Sequence, residues 1–74
     1  MEPLFSADII VDGEYKLYNV FFQNEHYHFE PEDGEGAAFH VKREDDEWKT
    51  IGSLAPIAQD QAISALEHYL LSQH

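Results

Sequence analysis

The sequence predicts an α+β domain: an antiparallel meander of four to five β-strands followed by one C-terminal α-helix packed on one face. Three observations point there. Short β-branched and aromatic runs alternate with two-residue turn signals as far as Gly52, the apolar period then lengthens from two to between three and four residues, and Pro56 stands where a first helical turn tolerates it. The densest stretch, Tyr15 to Val41, supplies the centre of the sheet.

Leu4 to Val11 reads as the first strand, because Ile9, Ile10 and Val11 are β-branched and Asp12-Gly13 is a strong hairpin signal. A two-residue turn there sets Val11 opposite Glu14 and Ile9 opposite Lys16. The second strand is Tyr15 to Phe22, and a turn at Asn24-Glu25 leads into a third at His26 to Glu30. That turn pairs Phe22 with Tyr27 and Val20 with Phe29, so four large apolar side chains share one face. Pro31 to Gly36 is a loop by composition. A fourth strand, Ala37 to Arg43, then aligns Phe39 and Val41 with Phe29 and Tyr27, since a slip by one residue turns both outward.

Glu44 to Glu47 is a charged turn before a last strand, Glu47 to Gly52. Two registers are open there: a two-residue turn sends Trp48 to the main apolar face, and a three-residue turn sends Ile51. From Pro56 to about Leu71 the residues Ala58, Ala62, Ile63, Leu66, Tyr69 and Leu70 recur at helical spacing, with Asp60, Gln61, Ser64 and Glu67 on the other side. This helix covers the face made by Tyr18, Val20, Phe22, Tyr27, Phe29, Phe39 and Val41.

The chain of 74 residues is expected to form a single domain, 1–74, with a thin stability margin. Fifteen carboxylates against four Lys and Arg give a net charge of -11, which argues against nucleic acid and anionic membranes as partners and in favour of cationic partners or metal. Cysteine is absent, so disulfides, thiolate zinc sites and a Cys nucleophile are excluded. No basic-then-apolar leader and no run of ~20 apolar residues occurs, so a cytoplasmic location is expected. No nucleophile elbow, phosphate loop or paired-histidine helix is present, and no catalytic residue or cofactor is expected.

Function is therefore sought on the face the helix leaves open, which carries Ile10, Leu17, Asn19, Phe21, His26, His28, Glu30, His40 and Lys42. Ile10, Leu17 and Phe21 read as a contiguous apolar strip, the kind of surface that serves a protein partner or a homodimer. His28 and His40 fall beside it, and the exposed edge of the first strand offers a second route to pairing. The register also sets His28 opposite His40 and His26 opposite Lys42, so His26, His28 and His40 are candidate ligands for zinc or nickel, with Glu30 close by. The leading expectation is a protein-protein interaction or homodimerisation module, and the alternative is a metal or small-ligand binder using the histidines. A third reading, an acidic decoy for a basic protein, rests on net charge alone. The carboxylates of the 30–36 loop do not have the spacing of a calcium loop.

Overall fold

The computed structural model describes residues 2–34, 38–52 and 54–73. Five strands, β1 (Phe5–Val11), β2 (Glu14–Gln23), β3 (His26–Pro31), β4 (Phe39–Glu44) and β5 (Glu47–Ile51), form one antiparallel sheet in the order β1-β2-β3-β4-β5, and α1 (Pro56–Ser72) follows. The predicted meander and C-terminal helix are thus present, with the full five strands. Ala37, at the expected start of the fourth strand, and Glu35 and Gly36 of the acidic loop lie outside the described residues.

Three hairpins set the register. Asp12-Gly13, Asn24-Glu25 and Asp45-Asp46 each take positive φ at both central positions, the type I′ form whose twist suits flanking strands. Val11 pairs with Glu14, Phe22 with Tyr27, and Glu44 with Glu47. The last pairing selects the two-residue turn between β4 and β5. Trp48 therefore lies opposite Arg43 on the apolar face, while Ile51 lies opposite His40 on the other. Trp48 meets Tyr27 edge-on at 6.0 Å, and the Arg43 guanidinium sits 4.9 Å above its ring.

The core lies between the sheet and α1. Ile9, Tyr18, Val20, Phe29, Phe39 and Val41 from the sheet are buried with Ala58, Ala62 and Leu66 from the helix. The two alanines let the helix approach closely, and Leu66 fills the space they leave. Phe29 and Phe39 stack with centroids 4.7 Å apart. The helix runs nearest β1: Tyr69 stacks on Phe5 at 4.5 Å, and the Gln61 side chain accepts the backbone N–H of Ile10. That last bond satisfies an amide on the sheet's edge, so the expected pairing edge is partly capped from within.

Helical cover does not reach the far end of the face. Phe22 is 50% exposed and Tyr27 is half-buried, although both were expected beneath the helix; they pack on each other instead, 4.8 Å apart.

Glu25 pays a steric cost at φ 65 that glycine does not. Glu25→Gly should therefore raise stability by up to about 1 kcal/mol, seen as a higher denaturant midpoint at constant slope. Phe29→Ala should remove about 3–5 kcal/mol, a large share of what so small a domain holds, and the variant should be substantially unfolded at room temperature by circular dichroism.

Candidate functional site

Strand alternation places every expected open-face residue on the side away from α1. Pairings across four strands build one row: Phe21 with His28, His28 with His40, and His40 with Ile51. The histidine pair is thereby flanked on both sides by apolar side chains. Ile51 was not among the expected site residues, because the open β4–β5 register left its face undecided.

Ile10 and Leu17 lie elsewhere. Ile10 pairs with Tyr15 and Leu17 with Asp8, toward the Asp12-Gly13 end of the sheet. Asn19 stands between Leu17 and Phe21 on the same face and accepts a 2.7 Å hydrogen bond from Ser6. A polar pair thus divides the expected strip, leaving Ile10 and Leu17, joined by Tyr15, on one side and Phe21 on the other. Leu17 is 38% exposed and Ile51 is 42% exposed, while Ile10 and Phe21 are half-buried. Neither Leu4 nor Phe5 folds over either patch, since Phe5 is committed to Tyr69 and Leu4 is exposed.

The histidines converge. The rings of His28 and His40 are 4.0 Å apart between centroids, with His26 5.9 Å from His40 and 6.2 Å from His28. One ring nitrogen from each lies within 4.8 Å of the other two. A zinc ion with Zn–N bonds of about 2.0–2.1 Å needs its nitrogens about 3.4 Å apart, so the three, now within 4.8 Å of one another, would have to close further by ring rotation to share one ion. In the tautomer that carries its proton on Nε2, His28 donates to the Gln23 carbonyl oxygen at 3.1 Å and keeps a lone pair on Nδ1.

Electrostatics favour the neutral form of His40. Burial, then the neighbouring His28 and His26, hold His40 below the ordinary histidine value, with Glu30 pulling the other way. His40 is accordingly a lone-pair donor at neutral pH. Lys42, the cation that a metal would meet on this face, is drawn off by Glu44, whose two carboxylate oxygens take Lys42 at 2.7 Å and Lys49 at 2.9 Å.

A second concavity of about 500 Å³ lies between β1 and α1, with Asp8, Gln61 and His68 among its lining. It gathers no comparable set of metal-ligating groups. No helix among the described residues is long and apolar enough to cross a membrane. No protein-family model, curated protein or solved structure matches the chain.

Hydrogen bonds from Lys42 and Lys49 pull the Glu44 carboxyl down to about 2 from an ordinary value of 4.5. The folded chain thus binds this proton less readily than the unfolded chain, so the triad stabilises above the ordinary value and its contribution fades as pH falls through about 2. Glu44→Gln should melt slightly below the parent at neutral pH, the gap closing in acid. Thermal melts across that range check this, and a gap that persists in strong acid would exclude the ion pairs as its cause.

Proposed function

We propose that this protein binds a divalent transition metal, zinc by preference, through His26, His28 and His40. The carrying observation is the convergence of three imidazole nitrogens from two adjacent strands within 4.8 Å of one another. Imidazole suits zinc, copper and nickel better than calcium or magnesium, and a cysteine-free chain has no softer ligand to offer. Pairing of Lys42 with Glu44 and the lowered His40 both support the reading, since each removes positive charge from the place an ion would occupy. Three protein ligands leave a tetrahedral ion with one open position.

A second reading, contact with a protein partner through the same face, draws support from Phe21 and Ile51 standing on either side of the histidine pair. The two readings share their central residues. His28→Ala separates them, because a purely apolar contact tolerates that change and a metal site does not.

Zinc titration followed by amide chemical shifts tests the first reading. Shifts should concentrate on β3 and β4 around His28 and His40 and saturate at stoichiometric metal. His28→Ala or His40→Ala should weaken binding by more than the ~10–100-fold that loss of an outer-shell partner costs. His68→Ala, on the helix, should leave it unchanged. Scattered, unsaturated shifts would retire the proposal.

A further inference from the structure

We infer that a second copy of this chain completes the metal site, two open sheet faces stacking so that His28 and His40 of both copies surround one ion. The inference rests on the metal-binding reading above and deepens it by naming the partner.

The row across the sheet has a symmetry that the rest of the face lacks. Its order is Phe21, His28, His40, Ile51: apolar, imidazole, imidazole, apolar. A half-turn about an axis parallel to the strands, midway between His28 and His40, lays Phe21 over Ile51 of the second copy and His28 over His40 of the second copy. One surface used twice is what an isologous contact requires. Facing sheets pack about 10 Å apart, so imidazoles projecting from each meet near the mid-plane, within reach of a shared ion with bonds of about 2.0–2.1 Å. Four imidazoles then fill the tetrahedral shell, with no position left for water. His26 lies one row away, opposite Gln23. It serves as third ligand in a single chain and yields its place when the second copy supplies two.

Charge makes the contact depend on the ion. Each copy carries -11, and Phe21 with Ile51 form a small apolar rim beside the ~1,200–2,000 Å² that a stable interface buries. Apolar contact alone does not hold two such acidic chains together. Coordination free energy does, and it is available only when the metal is present.

Light scattering after gel filtration, run on the full chain with increasing zinc chloride, tests this directly. The expected result is a monomer without zinc, a doubled mass that plateaus near about one ion per two chains, and return to monomer with a chelator. Phe21→Thr/Ile51→Thr keeps all three imidazoles and the β propensity of both positions. It should still take up zinc by calorimetry, now at about one ion per chain, and stay monomeric. Circular dichroism verifies its fold, and the single variant Ile51→Thr should show weakened dimerisation. Wild-type protein that binds zinc but stays monomeric would overturn this inference and leave the metal-binding reading standing. Absence of zinc uptake by the wild-type chain would overturn both.

Discussion

Register is the constraint on which the rest of this structure depends. Side chains on a strand alternate between faces, so three two-residue turns decide which half of the sheet's residues meet the helix and which half do not. Val11 against Glu14, Gln23 against His26 and Glu44 against Glu47 are the closing pairs. One residue added to any of these turns would carry the strand beyond it to the opposite face. At the Asn24-Glu25 turn, for example, the core would then receive His28 in place of Phe29. Folding the core and assembling the histidines are consequently one event.

Two of the three turns achieve this register without glycine. Asn24-Glu25 and Asp45-Asp46 hold left-handed backbone with side chains that resist it, asparagine and aspartate less than glutamate. The strain is tolerated because Val20, Phe29, Phe39 and Val41 gain only in this one pairing, and each is fully or almost fully withdrawn from water. Local preference and tertiary packing thus disagree at two turns, and packing prevails. In a chain of this size the core has little surplus, which is why the turns and the single helix matter so much to it.

Most of this was legible in the residues themselves. The alternation of Tyr18, Val20 and Phe22, and of Tyr27 and Phe29, admits one useful pairing, and aligning Phe39 and Val41 with Phe29 and Tyr27 then sets His28 against His40. Legibility fails where two registers bury equally good side chains. Trp48 and Ile51 compete in that way, and the sequence offers no third residue on β5 to break the tie; the face of Ile51, and with it the symmetric row, emerges only in three dimensions. It fails too for quantities that depend on reach. The seventeen residues of α1 lie toward β1 and do not extend over Phe22, a matter of helix placement that periodicity does not encode. The division of the open face by Ser6 and Asn19 needed the β1–β2 pairing to bring those two polar side chains together.

The open face and the acidic surface are best understood jointly. An exposed apolar patch on a small protein ordinarily invites indiscriminate association, and strong net charge of one sign opposes it. Here the apolar residues nearest the sheet centre are few and sit on either side of imidazoles, which bind borderline divalent ions such as zinc through a neutral ring nitrogen. Glu44 keeps Lys42 and Lys49 engaged at the margin of that row, so the nearest fixed positive charges are already neutralised. Repulsion between acidic chains and attraction through a shared ion then act on different variables, since the first responds to salt and the second to metal. On the proposed reading, a surface built in this way would stay solitary by default and acquire a partner only through coordination, which ties the two functional readings of the face to a single set of residues.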